Sequence, residues 1–186
     1  MPLNTLDPRS ALIVVDLQRG IAALPTAHPM QPVVDNAARL AAAFRARGLP
    51  VVLVNVAGTA PGRSEHPRRN TSHTPDWAEL LPELDAQPRD HRVTKRTWGA
   101  FTGTDLADYL RLCEVTQVVL CGVATSIGVE STARQAHELG FNVALVADAM
   151  TDLDADAHAN SLQRIFPRLG ETGDTGQLLQ LLRQLA

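Results

Sequence analysis

Apolar and polar positions follow two rhythms along this chain, and together they predict strands alternating with helices. Residues 11–15 are an unbroken apolar run ending at Asp16. A run so short and so uniformly apolar reads as a strand buried on both faces. From Pro32 onward, Val33, Ala37, Leu40, Ala41 and Phe44 recur at helical spacing until Gly48 and Pro50 stop the helix. Residues 51–56 form a second buried run, 93–95 a short third strand, 117–121 a fourth, and 142–147 a fifth that again ends in an acid, Asp148. Thr104 is placed to cap a helix whose apolar face is Leu106, Tyr109, Leu110 and Cys113. Residues 122–126 read as the turn after the fourth strand, and Val129, Ala133 and Ala136 mark a helix closing at Gly140. Two more helical stretches cover 155–165 and 177–185.

This order implies a Rossmann-like three-layer αβα sandwich around a central parallel sheet of five or six strands. The 186 residues suit one domain, 1–186, able to bury about 70% of its unfolded surface. The segment 57–92 is the irregular part, rich in Pro, Arg and His, with a short helix expected at 77–84. Long structureless loops serve as lids or assembly arms or are disordered, and the pattern does not choose among these.

Composition narrows the function classes. A net charge of −3 offers no basic field to recruit nucleic acid or anionic lipid. No apolar stretch is long enough for a membrane span, and no basic segment precedes the first apolar run as in a signal peptide. The two cysteines, Cys113 and Cys121, make no disulfide framework, so a cytoplasmic, reducing compartment is the simpler expectation. Both read as buried. The six histidines, His28, His66, His73, His91, His137 and His158, lack zinc-ligand spacing, and no dinucleotide or nucleotide glycine fingerprint is present. Neither a metal nor a cofactor is expected.

Among 17 cationic residues only Lys95 is a lysine. A compact ammonium and a planar guanidinium are not interchangeable, so a lone lysine in an arginine-rich chain marks a candidate site. Asp16, Lys95 and the turn 122–128 all fall at the carboxyl ends of expected strands, where parallel sheets bind ligands. Each has a plainer reading alone: Asp16 capping the next turn, Lys95 as a solvated charge, the turn as a simple strand-to-helix connection. Their convergence from three distant stretches favours a shared site. For Asp148 the plain reading, a hydrogen-bond acceptor fixing a loop, is kept.

Three ordered stretches carry a more specific signal: Ile13-Val14-Val15-Asp16-Leu17-Gln18, then residues 95–101 (Lys95 to Phe101), then residues 120–133 with Gly122-Val123-Ala124-Thr125-Ser126-Ile127-Gly128 at their centre. Over essentially its whole length the chain resembles the isochorismatase-like (cysteine hydrolase) superfamily. The resemblance implies an Asp-Lys-Cys catalytic set and a homo-oligomer. Asp16 matches its acid, Lys95 its lysine, and Val123-Ala124 the place of a non-proline cis peptide that shapes its oxyanion hole. It also puts Gln18, Trp98, Phe101, Val123 and Ala124 around a substrate pocket. The family's nucleophilic cysteine falls on Gly128, which carries no nucleophile. Cys121 lies seven residues earlier inside a strand, and Ser126 has no histidine placed to activate it.

Thioester amidase chemistry is therefore not expected. A vinyl ether, as in isochorismate, needs no nucleophilic side chain: protonation at carbon gives an oxocarbenium ion that water traps, with Asp16 as the acid. Lys95 opposes this role by favouring the carboxylate, so burial has to outweigh it. The Trp-Gly-Pro-Gly stretch associated with dedicated isochorismatases is replaced here by residues 74–79. The expectation is a hydrolase of a small metabolite working without covalent catalysis. The rival from another class is a degenerate member that binds a ligand or partner through the retained pocket. An amidase with an unexpected nucleophile ranks last.

Overall fold

The computed structural model describes residues 2–65 and 74–185 of the chain. Six strands form one wholly parallel sheet: β1 (Ser10–Val15), β2 (Val51–Val56), β3 (His91–Lys95), β4 (Gln117–Val123), β5 (Asn142–Thr151) and β6 (Glu171–Gly173). Their spatial order is β3-β2-β1-β4-β5-β6. The helices are a single turn α1 (Arg19–Ala22), then α2 (Met30–Ala46), α3 (Leu106–Leu112), α4 (Glu130–Glu138), α5 (Ala155–Asn160) and α6 (Thr175–Gln184).

The period-2 side-chain alternation of a strand explains why β1 has no polar face. Leu12 and Val14 enter a core under α2 and α6, whereas Ala11, Ile13 and Val15 enter a second core with residues of α3 and α4. In the helix after β1, Val33, Ala37, Leu40, Ala41 and Phe44 form one buried stripe. The chain thus winds outward from β1 to β3, then returns to lay β4 beside β1 and continues to β6. The connections after β1 and β4 leave to opposite faces, which opens a crevice between their carboxyl ends.

Several boundaries depart from the sequence expectations. The fifth strand does not end at Asp148: after a register shift, Met150 and Thr151 pair with Gly122 and Val123. Asp148 is spent on local ties, accepting from the Thr175 N–H at 2.7 Å and hydroxyl at 2.8 Å and from Asn36 Nδ2 at 3.2 Å. Residues 77–84 are not a helix, because their backbone groups are taken elsewhere. The N–H groups of Arg19 and Gly20 donate to Glu79 O and Trp77 O, and Leu81 N–H donates to Leu17 O; only Pro82–Leu84 makes a 3₁₀ turn. Asp105, not Thr104, holds the N-cap position of α3 but makes no side-chain cap bond; the Thr104 hydroxyl, which donates to Ala100 O at 2.6 Å, accepts from Leu106 N–H, the first of the helix, at 3.4 Å. Cys113 follows the end of α3 and is only partly buried, unlike Cys121 in β4. β6 and α1 carry too few apolar residues to be seen in the pattern. Among the described residues no helix is long and apolar enough to cross a membrane.

Candidate active site

β1 delivers Asp16 and β3 delivers Lys95 to the crevice. At Asp16 the chain takes a positive φ of 53°, a left-handed conformation that Asp tolerates better than most residues but at a cost of about 1–3 kcal/mol. Lys95 Nζ lies 2.8 Å from Asp16 Oδ2. The ammonium also donates to Trp98 O at 2.5 Å, so the turn after β3 fixes the side chain that β3 supplies. Both head groups are buried, Lys95 at 1% exposure and Asp16 at 5%.

Asp16 Oδ1, although buried, has no hydrogen-bond partner among the described residues. Burial raises the Asp16 pKa to about 6, against the lowering by the Lys95 charge and hydrogen bond. Desolvation therefore wins the contest with the lysine. At pH 7 about a tenth of such carboxyls are protonated, against about one in a thousand for an ordinary Asp.

The third side of the site comes from the end of β4. Gly122 has φ +120°, and a Cβ there would sit 2.0 Å from Val15 O, so only glycine lets β4 run this close to β1. The Val123–Ala124 peptide is cis. A π-helical turn, Thr125–Val129, then leads into α4. Gly128 faces the ion pair: a Cβ on it would lie 3.0 Å from Asp16 Oδ2, 3.2 Å from Lys95 Nζ and 3.1 Å from Val15 Cγ1. Asp16, Lys95 and Gly128 thus meet in one place.

The other residues expected around a pocket occupy varied positions. Gln18 is fully buried and its amide is committed: Oε1 accepts from Val56 N–H at 2.8 Å, and Nε2 donates to Val56 O and Trp77 O, each at 3.1 Å. It clamps β2 and the 77–81 segment to the chain leaving β1. Phe101 stacks on Phe141, with ring centroids 6.2 Å apart, against the core shared with α3 and α4. Val123 is a core residue and Ala124 packs against that core. Trp98 contributes its carbonyl to Lys95, while the residue as a whole is 63% exposed.

Asp152 is a further residue of the site that the sequence pattern does not single out. It is buried at the end of β5, and its Oδ2 accepts from Ser126 N–H at 2.6 Å. The visible signal was an acid at the end of a strand, assigned to Asp148 because nothing in the local sequence marks the register shift. Cys121 is fully buried, and burial followed by the nearby Asp148 charge pushes its thiol up to about 12. Its thiolate is out of reach near neutral pH. Among the described residues no three His, Cys, Asp or Glu side chains converge as metal ligands, and His66 and His73 lie outside those residues.

The arrangement has relatives. The isochorismatase domain family model matches residues 10–177. An uncharacterized isochorismatase family protein of Bacillus subtilis, YwoC, is 39% identical over 97% of this chain and 100% of its own length. YecD of Escherichia coli O157:H7, described in the same terms, is 42% identical over 93% of this chain and 96% of its own. The solved structure of an isochorismatase family protein from Burkholderia thailandensis superposes with a TM-score of 0.92 at 42% identity, covering 96% of this chain and 98% of that one. With its parallel sheet and a domain match across most of its length, this chain belongs to the isochorismatase family of isochorismatase-like hydrolases.

Proposed function

We propose that the protein hydrolyses a small vinyl ether of the isochorismate type without a covalent intermediate. The observation that carries this reading is a buried carboxyl, Asp16, whose pKa of about 6 keeps an acid form available beside Lys95 and a side-chain-free Gly128. The Asp16 proton passes to the terminal carbon of the enol ether, leaving an oxocarbenium ion. Water adds to that ion, the resulting hemiketal loses the alcohol, and a ketone remains. The Asp16 carboxylate recovers its proton from the added water. Lys95 stabilises the carboxylate once the proton has left.

Gly128 offers no side-chain atom from which a thioester could form, and its bare Cα lies against the ion pair. A probable isochorismatase of Pseudomonas chlororaphis, 30% identical over 85% of this chain and 81% of its own length, supports this substrate class. Ureidoacrylate amidohydrolase RutB of Variovorax paradoxus, 30% identical over 84% of this chain and 74% of its own length, keeps an amidase in view. The deciding assay offers isochorismate and a panel of simple amides to the wild type, Asp16→Asn and Gly128→Cys. Release of a ketone from the vinyl ether by wild type, lost in Asp16→Asn, is the expected result. Turnover of amides alone, or a covalent adduct on Cys113 or Cys121 that forms and decays at the turnover rate, overturns it. Turnover of neither class by wild type would favour the rival reading, a degenerate member that binds a ligand or partner.

A further inference from the structure

Behind the π-helical turn lies a group of buried polar side chains that the proposed chemistry leaves unused. Thr125, the first residue of the turn, is fully buried. Its hydroxyl lies 3.0 Å from Thr151 O and 2.8 Å from His158 Nδ1. A carbonyl only accepts, so the hydroxyl proton goes to Thr151 O, and His158 Nδ1 carries the hydrogen that reaches Thr125 Oγ1. One residue further, Ser126 N–H donates to Asp152 Oδ2, while Asp152 Oδ1 accepts from Leu153 N–H at 2.7 Å and Asp154 N–H at 3.3 Å. From the far side, His28 places its backbone N–H 3.2 Å and its ring Nδ1 3.1 Å from Thr151 Oγ1.

The first two residues of the turn are therefore tied to the end of β5 and to α5. The fourth, Gly128, is the residue that lies against Asp16 and Lys95. In a turn of five residues, what holds one end decides where the other end sits.

We infer that His158 is a positioning residue, which through Thr125 holds the turn 125–129 down on Asp16 and Lys95 and keeps water from the carboxyl. Its effect on turnover rests on the function proposed above; its effect on the Asp16 environment does not. A histidine that merely fills space between α5 and β5 would, on removal, lower stability and leave Asp16 unchanged.

The experiment is an NMR titration of the Asp16 side-chain carboxyl in the full chain, for wild type, His158→Asn, His158→Leu and Thr125→Val. Asparagine keeps an N–H near the position of Nδ1, leucine keeps bulk without a donor, and valine keeps the shape of threonine without its hydroxyl. The expected result is that His158→Asn titrates like wild type. His158→Leu and Thr125→Val should each lower the Asp16 midpoint by about one pH unit as water reaches the carboxyl, a tenfold change in proton affinity. The double variant should shift no further than either single one, because both break the same link.

An unmoved Asp16 midpoint in folded Thr125→Val overturns the inference, as does a shift in His158→Asn equal to that in His158→Leu. Thr125→Val keeps the test decisive should His158→Leu fail to fold. Where a vinyl ether is turned over, kcat should fall on the order of 10–100-fold in the two link-breaking variants with KM little changed. Absence of turnover in wild type refutes the reaction and leaves the titration to judge the positioning.

Discussion

Among the described residues two carboxylate–cation pairs are buried, and they are built in opposite ways. Arg45 of α2 grips Asp90 with two hydrogen bonds, Nε to Oδ1 at 3.0 Å and Nη2 to Oδ2 at 2.7 Å. The same guanidinium donates to Leu84 O, and Asp90 Oδ2 also accepts from Gln87 N–H. Every carboxyl oxygen there has a partner. In the Asp16–Lys95 pair one oxygen meets one ammonium, and the other has no hydrogen-bond partner among the described residues. A saturated pair ties α2 to the chain entering β3 and has no capacity left for a ligand. An unsaturated one keeps its carboxyl on the edge of protonation, which is costly for folding and useful for proton transfer.

Four measurements bear on the comparison, beginning with the largest effect. Asp16→Asn keeps the shape of the side chain and removes the transferable proton, so turnover of a vinyl ether should fall about 10²–10⁴-fold. Steady-state kinetics check this, and a full-rate variant would sink the proposed acid. Arg45→Met leaves Asp90 buried without its cation and should destabilise the fold by about 3–5 kcal/mol, read from urea unfolding, with no direct effect on the Asp16 chemistry.

The third measurement follows unfolding against pH. The folded Asp16 pKa, about 6, lies above its ordinary value of 3.8, so between these values the folded state holds a proton that the unfolded chain has released. The contribution of Asp16 is therefore fully present below about pH 4 and lost as pH rises through 6, a change on the order of 3 kcal/mol. Wild type should lose stability relative to Asp16→Asn across that window; parallel curves would contradict the raised pKa. The smallest effect belongs to Cys121→Ser, which buries a hydroxyl in β4 and should cost about 1–3 kcal/mol of stability with turnover unchanged. Thiol alkylation should likewise spare the activity, even though Cys113 is partly accessible.

The legible parts of the fold were those carried by local pattern. The all-apolar run before Asp16 and the stripe from Val33 to Phe44 announce a central strand and its covering helix, since burial on two faces or on one stripe is written in consecutive residues. Short elements were not legible. Glu171–Gly173 becomes a strand only because Ala144, Leu145 and Val146 offer it a free edge. Residues 77–81 resemble a helix until the chain after β1 takes their backbone groups.

The site divides in the same way. Asp16, Lys95 and the turn 122–128 were readable at strand ends because a parallel sheet gathers such positions by topology, whereas Gly128 was singled out within the turn only by the resemblance to the family. That Asp16 is protonatable despite Lys95 was not readable, since it depends on how much water the surrounding elements exclude. Nor were Asp152 and His158, which reach the site through a shift in β5 register and a helix some thirty residues beyond the turn they support.

By itself, then, the order of apolar and polar residues determined the parallel sheet, the helices that cover it, and the gathering of Asp16, Lys95 and the turn 122–128 at its carboxyl edge. Only the tertiary structure decided which carboxylate pair is saturated, which acid ends β5, and which side chains hold the turn at Gly128. The physical reason is one of range. Secondary structure follows from side chains a few residues apart, whereas desolvation and hydrogen-bond saturation are set by groups that folding brings together from distant parts of the chain.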